Sequence, residues 1–205
     1  ADEALVAIYV PESVLEITTD GWSAASNFAS ISISPNNTVY ASLDGVLYSK
    51  DLTTLIKYPV AKVGATFDIP AGVTTIGFGA FANATNLTSV NIPASVQTIE
   101  TSAFQSCSAL TSITIPDGVT TISGGVFANC RSLSSINLPE SITSIEENAF
   151  GYCESLTSFT VPSGVTSIPK DAFSNCKSLA DIKLHDKITT IGPSAFYYCS
   201  ALKEI

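Results

Sequence analysis

The side chains able to do chemistry in this 205-residue chain are few, and their spacing decides what chemistry is open to them. Five cysteines, Cys107, Cys130, Cys153, Cys176 and Cys199, recur every 23 residues. Thiolates ligate zinc and thiols pair as disulfides, but zinc sites favour closely spaced ligand pairs and no Cys-x-x-Cys occurs. One unit earlier the same place is held by Ala84. A small apolar core position accepts alanine or cysteine, whereas a ligand or a bridge partner does not. The five thiols are therefore expected to be reduced and buried. His185 is the only histidine, and as a general base it needs a nucleophile and an orienting acid beside it. Its nearest acid, Asp186, reads as a turn residue, and His185 itself stands in a column otherwise held by proline. No glycine-rich phosphate loop, zinc spacing or acidic calcium loop is present. The expectation is no catalytic residue, no metal and no cofactor.

The elements that carry these residues are set by the same period. Leu87, Leu110, Leu133, Leu156, Leu179 and Leu202 each open one unit. In the unit 110–132, Leu110, Ile113 and Ile115 lead to Pro116, then Val119 and Ile122, Val126-Phe127 and Cys130. Other columns hold Ile92, Ile115, Leu138, Val161 and Leu184, and Phe81, Phe104, Phe127, Phe150, Phe173 and Phe196. The frame extends back to a divergent repeat at 5–27, with Trp22 in the Phe place and Ala25 in the Cys place. An interrupted repeat spans 28–63, regular repeats span 64–201, and a truncated one begins at 202–205. The whole reads as one repeat domain.

Leu-Thr-Ser-Ile-Thr-Ile alternates apolar and polar residues towards its end, which predicts a short strand with one buried face. Proline then ends the strand because it has no N–H for the ladder. Val119 and Ile122 return an apolar edge to the core, and the Ala-Phe-x-x-Cys segment has the length of one helical turn. Within 36–63, Asp44-Gly45, Val46-Leu47-Tyr48 and Leu55-Ile56-Lys57-Tyr58 predict one inserted β-hairpin, closed by Pro59. The expected fold is an α/β repeat solenoid in which each unit depends on its neighbours for a core.

The pattern Leu-x-x-Ile-x-Ile-Pro-x-x-Val-x-x-Ile-x-x-x-Ala-Phe-x-x-Cys resembles the Treponema-type, or BspA-like, leucine-rich repeat of bacterial surface proteins. The stretch from Tyr40 to Pro59 resembles an insertion that recurs in that family. The resemblance implies a right-handed coil with a parallel sheet on the concave side and short helical turns on the other. It also implies an extracellular or cell-surface location, with some members acting as adhesins for host matrix components, and it carries no catalytic residues.

Composition bounds the partners. A formal net charge of −9 argues against nucleic acid, which needs clustered Lys and Arg. No apolar run reaches a membrane span, and Ala1-Asp2-Glu3-Ala4 lacks the features of a targeting segment. The plausible binding surface is the polar side of the strands: Ser89, Asn91, Ser112, Thr114, Ser135, Asn137, Ser158, Thr160, Asp181 and Lys183. Equally, such residues are ordinary solvated strand positions, and the array lacks the aromatic and Arg anchors of tight interfaces. Tyr152, Tyr197 and Tyr198 fall on the opposite side, where packing at the rim of the Phe column is expected. Asn36, Asn83 and Asn86 match a glycosylation pattern that matters only in a eukaryotic secretory pathway.

Three functions follow as expectations. The first is binding of a protein or glycan ligand, host extracellular matrix included. The second is a structural spacer with no ligand of its own. The third is an ice- or crystal-binding array of stacked threonines, Thr74-Thr75, Thr120-Thr121, Thr143-Ser144, Thr166-Ser167 and Thr189-Thr190, which Gln97 interrupts. The segment 179–205 is expected to associate end to end with a second copy or to be covered by further sequence.

Overall fold

The computed structural model describes residues 5–19, 22 and 25–204. Ala1–Ala4, residues 20, 21, 23 and 24 of the divergent repeat 5–27, and Ile205 at the end of the segment 179–205 lie outside the described residues. Short strands form a first column: β6 (Thr66–Asp68), β8 (Ser89–Asn91), β10 (Ser112–Thr114), β12 (Ser135–Asn137), β14 (Ser158–Thr160) and β16 (Asp181–Lys183), preceded by a separate pair, β1 (Ala7–Val10) and β2 (Ser30–Ile33), which the insertion divides from β6. Their pairing is parallel with a 23-residue offset, as in Ile113 opposite Ile136. The alternation of Ser-Ile-Thr puts Ile113 into the core and Ser112 and Thr114 into solvent.

A second column is made of two-residue strands: β7 (Thr75–Ile76), β9 (Thr98–Ile99), β11 (Thr121–Ile122), β13 (Ser144–Ile145), β15 (Ser167–Ile168) and β17 (Thr190–Ile191). From residue 64 onward each coil thus has two laddered sides where the sequence announced one. The stacked threonines belong here. The hydroxyls of Thr74, Thr143 and Thr189 donate to the carbonyls of Thr53, Thr120 and Thr166 in the preceding coil, at 3.3, 3.3 and 3.2 Å.

The third side corrects the expected fold. Apart from a 3₁₀ turn at Trp22, no helical element forms among the described residues. The Ala-Phe-x-x-Cys segment is a run of turns in which two residues per coil, four apart, have left-handed backbone: Gly79 and Asn83, Ser102 and Ser106, Gly125 and Asn129, Asn148 and Tyr152, Asp171 and Asn175, Ser194 and Tyr198. A right-handed helix cannot pass through such residues. Instead, alternate N–H groups point within the coil and along the stack. Ala80 and Ala82 donate to Gly77 and Gly79, whereas Phe81 and Asn83 donate to Ala103 and Gln105 of the next coil, at 2.7 and 2.9 Å. The backbone exchanges helical bonds for a ladder.

The insertion is also larger than the single hairpin expected. β3 (Tyr40–Leu43), β4 (Val46–Ser49) and β5 (Thr54–Lys57) form an antiparallel meander. Asp44 and Gly45, with φ of 49° and 76°, make the first turn, as mirror-image hairpin turns require. Asp51 accepts from the Ser49 and Thr53 hydroxyls at the second, and the first of these bonds holds its carboxyl below the usual range. β5 then pairs in parallel with β7, which welds the meander into the second column.

The core is a set of ladders. Phe81, Phe104, Phe127, Phe150, Phe173 and Phe196 stack with centroids 4.9 to 5.7 Å apart and ring planes within 15° of parallel. Tyr58 extends the stack at 5.2 Å from Phe81, so the interrupted coil supplies an aromatic that its shifted frame concealed.

Candidate functional site

The cysteines are positioned by the ladder beside the Phe stack. Cys107, Cys130, Cys153 and Cys176 are fully buried, Cys199 nearly so, and all five are free thiols. Each Sγ donates to the carbonyl of the Phe in the preceding coil: Cys107 to Phe81, Cys130 to Phe104, Cys153 to Phe127, Cys176 to Phe150 and Cys199 to Phe173, at 3.1 to 3.3 Å. Burial pushes the Cys107 thiol up to about 12 and raises the others too. A neutral thiol is neither nucleophile nor ligand, so the column is structural. It is a core position with one weak donor to spend.

His185 is a loop staple. Its Nε2 lies 3.0 Å from the Pro162 carbonyl, and its Nδ1 accepts from the Lys187 N–H at 3.3 Å. Those two bonds engage both ring nitrogens and leave neither for a substrate. Among the described residues, no three His, Cys, Asp or Glu groups converge as a metal site would require.

The ten polar strand residues form two ranks on one face. Ser112 is opposite Ser135 and Thr114 opposite Asn137, while Ser158 and Thr160 are opposite Asp181 and Lys183. Nine of the ten are exposed and Ser89 is half-buried. Thr66 and Asp68 extend the ranks one coil further, opposite Ser89 and Asn91. The Asn91 amide donates to the Asp68 carboxylate, so one of the ten already has a partner in the fold. Asp68 is missing from the sequence reading because its unit lacks the opening leucine, although strand alternation places it.

Shallow grooves cross this face. One of about 270 Å³ lies between β8 and β10, lined by Ser89, Asn91, Ser112 and Thr114. Another of about 220 Å³ lies between β12 and β14, lined by Asn137, Glu140, Ser158 and Thr160. A third, of about 390 Å³, runs beside Pro116 and Pro139. Hydroxyls, amides and the Glu140 carboxylate line the outer edges of the first two, with no aromatic ring on offer but the buried Phe159, whereas Ile92, Ile115 and Leu138 join Pro116 and Pro139 in the third. The first two suit hydrogen bonding to a polar ligand, and the third adds an apolar wall.

Two further features were not legible beforehand. A cavity of about 370 Å³ is lined by Thr19, Lys57, Phe78, Gly79, Asn83 and Gln105. Lys57 is buried there and donates to the Gly79 carbonyl at 2.8 Å. On the turn side, Tyr152, Tyr197 and Tyr198 are 41, 56 and 63% exposed, rather than packed at the rim of the Phe stack. Left-handed backbone at Tyr152 and Tyr198 turns both away from the core.

The comparisons with known proteins agree with this geometry. A family model described as the BspA type leucine rich repeat region matches in six copies over residues 65–180 and 120–205. No curated protein matches the chain. Among solved structures, a leucine rich cell surface protein from Faecalibacterium prausnitzii is 40% identical with a TM-score of 0.81, covering 88% of this chain and 48% of its own. A leucine-rich repeat protein from Eubacterium ventriosum is 30% identical with a TM-score of 0.80, covering 97% of this chain and 60% of its own. A leucine rich repeat protein of T. pallidum, 23% identical with a TM-score of 0.69 over 98% of this chain and 79% of its own, shares the fold. The chain thus spans about half to three-fifths of the length of the first two. No helix among the described residues is long and apolar enough to cross a membrane.

Proposed function

The chain belongs to the BspA-type leucine-rich repeat family, and on that premise we propose that it is a cell-surface or secreted binding module whose polar sheet face engages an extracellular protein or glycan. One observation carries the reading. Polar side chains stand in two ranks on stacked strands, exposed at nine of ten positions and crossed by hydrogen-bonding grooves. Strand backbone within each coil lowers the entropy cost of presenting these side chains, and repetition lets weak contacts add along an extended ligand. The cell-surface protein of Faecalibacterium prausnitzii, 40% identical, supports the location.

A spacer role is supported by a different observation. The face has neither aromatic nor Arg anchors, the residues that dominate tight interfaces, and the chain matches only about half of its longer relatives. The two readings part in a binding screen of the chain against soluble glycans and extracellular-matrix proteins. Saturable binding that is lost on charge insertion in the sheet face supports the module. No binding to any member of either class, with the fold intact, supports the spacer.

A further inference from the structure

The ladders of the solenoid are not continuous. The first column divides into separate parallel pairs, β6 with β8, β10 with β12 and β14 with β16, and beyond β9 the second divides into β11 with β13 and β15 with β17. Strand pairing in both columns therefore stops between the same coils, 87–109 and 110–132, and again between 133–155 and 156–178, with the Thr111 N–H still donating to the Thr88 carbonyl at 3.1 Å across the first of these seams.

Equivalent backbone groups alternate with the same beat. The N–H groups of Ile69, Ile115 and Val161 donate to Asn91, Asn137 and Lys183 of the next coil, at 3.0 to 3.1 Å. Ile92 and Leu138, at the matching positions of the coils between, make no such bond. Side-chain burial follows suit. Ile69, Ile115 and Val161 are 5, 3 and 3% exposed, whereas Ile92, Leu138 and Leu184 are half-buried.

The sequence supplies a cause at several positions. Inside a pair, the Glu100 and Glu146 carboxylates accept from the N–H groups of Phe78 and Gly124, at 2.7 and 2.8 Å. The Ser95 and Ser141 hydroxyls donate to the carbonyls of Val73 and Val119, both at 2.8 Å. At the seams these residues are replaced. Gly118 and Gly164 stand where Ser95 and Ser141 stood, so close to the preceding coil that a Cβ would lie 2.9 and 2.8 Å from the Val96 and Ile142 carbonyl oxygens. Ser123 and Pro169 stand where the glutamates stood. The Ser123 hydroxyl still donates to the Ile99 carbonyl at 2.6 Å and the Ser163 hydroxyl to the Glu140 carboxylate at 3.0 Å, so side-chain bonds span the seams, but Pro169 has no N–H for the bond that Glu146 makes to Ile122. The grooves between β8 and β10 and between β12 and β14 open at these two seams.

The turn side is unbroken. Phe104 and Phe150 donate to Val126 and Ala172 across the seams at 3.0 and 2.9 Å, and the Phe stack passes through at 5.6 and 5.3 Å. We propose that the solenoid is built of coil pairs, twice 23 residues each, and hinges at the two seams, opening on the sheet side while the phenylalanine side stays closed. Flexing of this kind widens the two polar grooves together and changes the curvature of the whole face.

Amide hydrogen exchange of the full chain, followed residue by residue by NMR, tests this. The Ile92 and Leu138 amides are expected to exchange at least about tenfold faster than Ile115 and Val161, their positional equivalents. Pro169→Glu, which restores both the N–H and the carboxylate of a paired coil, is expected to slow Leu138 about threefold or more and leave Ile92 unchanged. Exchange of Ile92 and Leu138 within about threefold of Ile115 and Val161 in the unmodified chain overturns the proposal, whatever the variant does.

Discussion

The thiol of Cys130 donates to the carbonyl oxygen of Phe104, 3.1 Å away in the preceding coil, an oxygen that also accepts from the Cys107 N–H. The bond uses the oxygen's second lone pair and seals the core beside the Phe stack. Thiol reagents are therefore expected to leave all five cysteines unmodified in the native protein at neutral pH and to label them on denaturation. Cys130→Ala, which the Ala84 coil shows to be sterically allowed, is expected to cost about 1 kcal/mol.

Alkaline pH is expected to unfold the chain early. In the unfolded chain thiols ionise near about 8.5. Burial holds Cys107 neutral up to about 12 and keeps Cys130, Cys153 and Cys176 neutral well beyond the ordinary range. The unfolded state then binds fewer protons than the native one, so stability is flat below that pH and falls above it. Each of these four thiols removes up to about 1.4 kcal/mol per pH unit. Equilibrium denaturation between pH 7 and 11 checks this, and a set of Cys→Ala substitutions is expected to flatten the slope.

Substitutions should divide by column. Phe127→Ala removes a ring with no solvent exposure from between Phe104 and Phe150 and is expected to cost about 3–5 kcal/mol. Ser135→Ala on the exposed face is expected to stay within about 0.5 kcal/mol of the parent. Urea unfolding of the two variants makes the comparison.

Left-handed backbone should set the response on the turn side. At Asn129, φ 62°, a β-branched residue is disfavoured, and Asn129→Val is expected to cost about 1–2 kcal/mol. At Tyr152, also φ 62°, Tyr152→Asn is expected to stabilise by a few tenths to about 1 kcal/mol. Thermal unfolding of both reads the sign. A destabilised Tyr152→Asn would mean that the exposed ring has a packing role.

Much of this fold is written in spacing that a reader can count. The leucine, phenylalanine and cysteine columns fix the register, and strand alternation places Ser112 and Thr114 in solvent before any coordinates. The turn side misleads because Ala-Phe-x-x-Cys has the apolar spacing of one helical turn. Its Gly, Asn, Ser and Asp columns, Gly79 to Ser194 and Asn83 to Asn175, carry the contrary signal, since these residues tolerate left-handed backbone best. Tyr58 is concealed because the insertion shifts its coil out of frame. The alternation of Ser95 and Ser141 with Gly118 and Gly164 is visible only to a comparison of every second unit. The ligand is legible in neither, because short polar side chains on a strand look alike whether they bind or merely face water.

The role of that face is tested most directly by one affinity comparison, made with whichever glycan or matrix protein the chain binds. Thr114→Arg with Asn137→Arg places two large cations in the centre of the ranks, and Tyr198→Arg places one on the turn side as a control. Affinity is expected to fall at least about tenfold for the sheet-face pair and to stay unchanged for the control. Loss of binding in Tyr198→Arg with the sheet-face variant at full affinity would contradict the account and move the binding surface to the exposed tyrosines.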